Sequence, residues 1–181
     1  MNPPAPIKTP KEISPRVWEA LRRIFPDPMP LTVPARPENY SSAGECHRSV
    51  AQKIKQDGGS AQFGWVIWEI PPWEIQVEFH SVWKSPEGEL VDVTPPLHQG
   101  PSVLFLPDPT TVYDGRNIPG LHYPYDDGPL CREYIEIVTE QEKILYPSGE
   151  LHDGSKGVPL PLLAPLMKRM VVLFMKSMRN N

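Results

Sequence analysis

Proline restricts this chain more than any other residue. It fills 25 of 181 positions, about 14% against a usual ~5%. Each proline fixes φ and removes a backbone donor, so helices and central strands tend to exclude it. Regular elements are therefore expected to be short, and the connections between them long and stiff. Proline and glycine together make 37 of 181 residues, about 20%, below the ~25–30% of a disordered low-complexity chain. With 39% apolar and 22% charged residues, the composition is that of a folded domain large enough to bury a core.

The element pattern predicts an α+β protein. Residues 1–13 read as a Pro-rich arm, residues 14–158 as a single α+β domain, and residues 159–181 as a Leu/Met-rich basic segment packed on its core. Ser14-Pro15 is a helix start, with Ser at the N-cap and Pro at the first helical position. Val17, Leu21 and Ile24 follow at helical spacing until Pro26 and Pro28 end the run. Residues 26–44 read as a proline-punctuated connection. A second helix should open near Gly44–Cys46, with Cys46, Val50 and Ile54 on one face, and close at Gly58-Gly59. Strands are predicted over 61–70, 74–84, 89–94 and 131–138. The Pro/Gly/Asp-rich segment 107–130 reads as a long loop or a substrate lid. Pro161 and Pro165 argue against a regular amphipathic start to the last segment.

One turn fixes a register. Ser85-Pro86-Glu87-Gly88-Glu89 fits a three-residue hairpin loop, with Pro opening a type I turn and Gly in the left-handed position. Val82 then faces Asp92. His80 and Asp92 become diagonal neighbours on one face, within side-chain reach. A slip of one residue would put them on opposite faces.

That register completes a chemical set: a cysteine opening a helix, a histidine on a strand, and an aspartate on the next strand. A helix N-terminus favours the thiolate, the nucleophilic form of Cys46. His80 can take the thiol proton and later protonate a leaving group. Asp92 can accept the second imidazole N–H and hold the tautomer. An acyl-transfer site also needs oxyanion donors. The Cys46 amide is the natural first one, with Asn39, Gln62, Gln76 or the indoles of Trp65 and Trp68 as side-chain candidates; Trp65 and Trp68 are also candidate walls of a substrate cleft.

Gly44-Glu45-Cys46 resembles the nucleophile motif of transglutaminase-like proteins within the papain-like cysteine superfamily. His80-Ser81-Val82-Trp83, with Gly88 through Pro95, resembles that family's His strand and Asp strand. The resemblance covers residues 41–96. The Cys-to-His interval is short for a full-size transglutaminase, and His47 beside the cysteine has no counterpart in the motif. The resemblance implies N-terminal helices packed on an antiparallel β-sheet in a papain-like/transglutaminase-like core. It also implies a Cys46, His80, Asp92 triad that acts on amide or other acyl bonds of a protein or peptide, without metal or other cofactor. Little chain remains for a separate specificity domain, so hydrolysis, of the peptidase or glutamine deamidase type, is expected over transfer. The alternative is a binding or inhibitory module on the same fold.

Other classes are disfavoured. A net charge of −4 and pI near 5.7 argue against a nucleic-acid partner, which needs a surplus of Lys and Arg. Cys46 and Cys131 alone do not make a secreted disulfide scaffold. No apolar leader or ~18-residue apolar run is visible, so the expectation is a cytoplasmic protein without a transmembrane segment, delivery into another cell as an effector being a further route. A metal site from Cys46, His47, His80, His122, His152 or Cys131 lacks any CxxC, HxxxH or HExxH spacing.

Overall fold

The computed structural model describes residues 13–95, 100–151 and 158–179. In chain order the elements are α1 (Pro15–Ile24), β1 (Leu31–Pro34), α2 (Cys46–Asp57), β2 (Ser60–Ile70), β3 (Glu74–Lys84), β4 (Leu90–Val91), β5 (Ser102–Pro107), β6 (Leu121–Pro124), α3 (Pro129–Leu145) and α4 (Leu160–Arg179). The strands form one antiparallel sheet in the order β1-β5-β2-β3-β4, with β6 also pairing β3. The fold is mixed α+β.

Period-two alternation divides the sheet's faces between different helices. Trp65 and Ile67 of β2 and Ile75, Val77 and Phe79 of β3 bury against Val17, Ala20 and Leu21 of α1. Val66, Trp68 and Ile70, with Val82 and Phe105, point the other way and bury against α3 and α4 through Tyr134, Ile137, Leu166 and Leu173. A smaller cluster of Val50, Val91 and Val93 seats α2 beside the β3–β4 hairpin. Local signals set the ends of these elements. Ser14 caps α1 by accepting from the Val17 amide at 3.2 Å. Gly58 ends α2 at φ 74°. The hairpin takes the predicted register, Trp83 opposite Val91 and Lys84 opposite Leu90. Its loop is closed by the Ser85 and Gly88 amides, which donate to Glu89 and Ser85 carbonyls, and Gly88 has φ 93°.

Four expectations are corrected. Residues 131–138 are helix, not strand: Cys131, Tyr134 and Ile137 bury at helical spacing, and Pro129 occupies the first turn, where its missing N–H is harmless. The connection 26–44 contains β1, whose terminal Pro34 suits an edge strand that, among the described residues, pairs β5 alone along the sheet. The segment 107–130 is not wholly loop, because β6 adds to the β3 edge. The last segment is helical from Leu160 despite Pro161 and Pro165. Pro161 falls in the first turn and Pro165 removes a single helix bond. Burial of Leu163, Leu166 and Leu173, with ion pairs from Lys176 to Glu133 and Arg169 to Glu136 and Glu140, holds α4 on α3.

A buried imidazole joins β3, β6 and α3. His122 Nδ1 lies 2.6 Å from Glu74 Oε2 and its Nε2 3.1 Å from Glu142 Oε2. Tyr134 also donates its hydroxyl to Glu74, and the Gly120 amide donates to Glu142. Burial alone would lower the His122 pKa; hydrogen bonds and the charges of Glu142 and Glu74 override it and raise the value to about 9. A group whose folded pKa lies above its unfolded value stabilises fully below the unfolded value, here 6.5, and loses that contribution as pH rises through the folded one. We expect His122→Gln to cost about 3 kcal/mol at pH 7, from the size of that rise and the two carboxylates left without their cation. Wild-type stability in urea should fall between pH 7 and pH 10, and the variant's should fall much less.

Candidate active site

The start of α2 meets β3 where that strand lacks a neighbour. β6 covers Glu74–Val77 and β4 covers Trp83 and Lys84. Between them, among the described residues, 78–82 have no strand partner on that edge. Phe79 and His80 are consecutive, so they point to opposite faces of the sheet. His47 packs its ring 5.5 Å from that of Phe79, while Cys46 hydrogen-bonds with His80. Two adjacent helix residues can reach opposite faces of a strand only from its edge. The helix N-terminus therefore straddles the open edge of β3.

Asp92 completes the arrangement. Its Oδ2 lies 3.2 Å from His80 Nε2. The contact is a close charge contact rather than an in-line hydrogen bond, since the ring N–H is poorly aligned with the carboxylate. Oδ1 accepts the Thr94 amide at 3.0 Å. The Asp92 backbone is fixed by the stretch after β1: its amide donates to Pro34, and its carbonyl accepts from Arg36. Across the β2–β3 ladder His80 faces Gly64. A Cβ there would come within 2.3 Å of the Leu106 carbonyl and 2.5 Å of the Phe105 ring, so only glycine lets those groups close in beside the histidine strand.

Burial would by itself raise the Cys46 thiol pKa. The charge of His80, with hydrogen bonds from His47 and His80, holds it well below the ordinary value. Burial would likewise lower the His80 pKa, and the charges of Cys46 and Asp92 hold it well above the usual range. Both directions favour the charged forms of the two groups, thiolate for Cys46 and imidazolium for His80. Cys131 supplies an internal contrast. It too is buried near the start of a helix, but its thiol donates to the Pro72 carbonyl at 3.1 Å, and burial pushes its pKa up.

The remaining candidates fall in different places. Trp68 shares the His80 face, and its indole donates to Glu78 at 2.9 Å. Gln76 is half-buried on the same face. Trp65 lies on the opposite face, edge-on to Phe79, with its indole donating to Asp108 at 3.1 Å. Gln62 donates to the Phe63 carbonyl. Asn39 is exposed in a turn. The Cys46 amide, at the first position of α2, has no partner within the helix. Among the described residues no three His, Cys, Asp or Glu side chains are grouped so as to hold a metal ion; His152 lies outside the described residues. No helix of the described residues is long and apolar enough to cross a membrane.

Three participants were not picked out from sequence as site residues or were given no role there. His47 flanks the thiol and stacks on Tyr113 with ring centroids 3.6 Å apart. Tyr113 brings the 107–130 segment to the site, and only its place in that segment marked it. Glu78 sits two residues before His80 on the same face, and its signal was the i, i+2 spacing within β3. A hollow of about 240 Å³ lined by Tyr40, Ser42, Glu45, Arg48, Ser49 and Gln52 runs along another flank of α2, and neither Cys46 nor His80 lines it.

No protein family, no curated protein and no solved structure matches the chain.

The electrostatics predict an ionised thiol. We expect ultraviolet titration of the Cys131→Ser variant to show thiolate absorbance persisting well below pH 8.5, the ordinary thiol range. His80→Ala should move that titration upward by at least about one pH unit.

Proposed function

We propose that the chain is a cysteine-dependent acyl-transfer enzyme that hydrolyses an amide bond of a protein or peptide, on a core of the papain-like/transglutaminase-like kind. The observation that carries this reading is the buried Cys46–His80 pair at a helix N-terminus, with Asp92 Oδ2 3.2 Å from His80 Nε2. The thiolate attacks the carbonyl carbon, and the carbonyl π pair moves onto oxygen. The Cys46 amide and the partial positive charge of the helix N-terminus stabilise that oxyanion. Collapse breaks the C–N bond, and the His80 imidazolium protonates the departing amine. The resulting thioester is cleaved by water, with neutral His80 taking the water's proton and returning it to Cys46 sulfur as the acid leaves. Asp92 holds the imidazole and supports its charged form.

Alkylation by iodoacetamide, followed by intact mass, tests the nucleophile. Cys46 should react at pH 7 about tenfold or more faster than a model thiol, and His80→Ala should remove most of that advantage. Labelling no faster than a model thiol, with a rate indifferent to His80→Ala, would refute the enzymatic reading and leave a binding module.

A further inference from the structure

The face of β3 that carries His80 is buried on both sides of a short polar lane. Gln76, Glu78 and His80 follow at i, i+2 and i+4 and are each half-buried, while Glu74 and Val82 at the ends are closed off. Glu78 is therefore a carboxylate about 7 Å along the strand from the histidine. Across the ladder it faces Val66, which offers it no polar group. The Trp68 indole fixes Oε2 at 2.9 Å. Among the described residues no Lys or Arg is ion-paired with it; the leading charges acting on it are His80 on β3, Cys46 on α2 and Glu142 on α3. Glu142 is itself bound to His122. Burial lifts the Glu78 carboxyl above the ordinary range, with His80 and the Trp68 hydrogen bond pulling against it.

We infer that Glu78 is a specificity-determining residue, selecting substrates that carry an ammonium or guanidinium group close to the carbonyl that Cys46 attacks. The inference rests on the acyl-transfer reading of the same site. The indole holds one carboxylate oxygen, Oε2, and Oε1 has no hydrogen-bond partner among the described residues. A neutral floor would serve a neutral substrate without the cost of keeping a half-buried acid beside a thiolate. A cationic side chain lying in the lane meets Glu78 as a charged partner, in surroundings less screened than open solvent. Trp68 then acts as a positioning residue for Glu78, while the substrate's carbonyl lies at the Cys46 end.

Charge-coded thiol reagents test this without the natural substrate. In the Cys131→Ser background, Cys46 is treated with neutral methyl, cationic aminoethyl and anionic sulfonatoethyl methanethiosulfonates. In each case the thiolate forms a disulfide and expels methanesulfinate. The expected result is preference for the cationic over the anionic reagent. Glu78→Gln should lower that cationic-to-anionic rate ratio about fivefold or more, a ratio taken within one variant and so independent of any change in the basal rate. A fast neutral reaction with a ratio indifferent to Glu78→Gln overturns the specificity assignment and leaves the acyl-transfer reading standing. A slow neutral reaction in the unaltered site overturns both. A second measurement needs no variant at Glu78: N-acetyl-lysine methylamide should slow the neutral reagent at lower concentration than its uncharged norleucine analogue. Equal protection by the two counts against the assignment.

Discussion

The arrangement depends on a stretch of strand edge left open. A central strand buried on both faces and paired along both edges would have no room for a helix start between its side chains. Here β4 is two residues long and β6 ends at the level of Val77, so the interval 78–82 accepts the N-terminus of α2 in place of a neighbouring strand. The His80 and His47 imidazoles then act on one sulfur at the helix start. The two cysteines separate these contributions. Both lie at or near helix starts and both are buried, yet the pKa of Cys131 rises and that of Cys46 falls. A helix start alone does not lower a buried thiol's pKa; the His80 charge and the hydrogen bonds of His47 and His80 set Cys46 apart.

Holding two charges where water is scarce requires that each be matched and fixed. The stretch following β1 supplies much of the fixing. It runs parallel to the chain at Asp92 through the Ala35 bridge, and Pro34 and Arg36 satisfy the Asp92 backbone from both sides. The Thr94 amide then takes one carboxylate oxygen and leaves the other for His80. The aspartate thus sits just beyond a very short strand and is nonetheless immobilised by a separate part of the chain.

Much of this geometry was legible where local rules operate. Ser14-Pro15, Gly58 and the Ser85–Glu89 turn each act over a few residues, and together they set the ends of α1 and α2 and the register that brings His80 to Asp92. Non-local pairing was not legible. β1 and β6 are four residues each and partly proline, so neither shows an alternating pattern long enough to recognise. The run Cys131–Val138 is rich in β-branched and aromatic residues, which read as strand. Burial of Tyr134 and Ile137 in the core under α4 outweighs that local preference. Within the site, sequence marked the cysteine, histidine and aspartate by type and order. His47 looked incidental because neighbouring helix residues usually diverge, and the straddled edge is what gives both of them a place.

The segment between β5 and α3 acquires a specific role from its two attachments. At one end His122 is held between Glu74 and Glu142; at the other Asp108 gathers the hydroxyls of Thr110 and Thr111 and the Trp65 indole. Arg116 and Asn117 tie its middle to the Gly149 and Pro147 carbonyls. Residues 112–115 are the part left between anchors, and Tyr113 within them lies on His47. Displacing this stretch would break the Tyr113 ring contacts with His47, Phe63 and Phe79 without dismantling the ion cluster at His122. The stability of the cluster and access to the thiol are separable on that basis: loss of His122 loosens the attachment of the segment to the sheet, whereas loss of the Tyr113 ring uncovers His47 beside the sulfur and leaves the anchors in place.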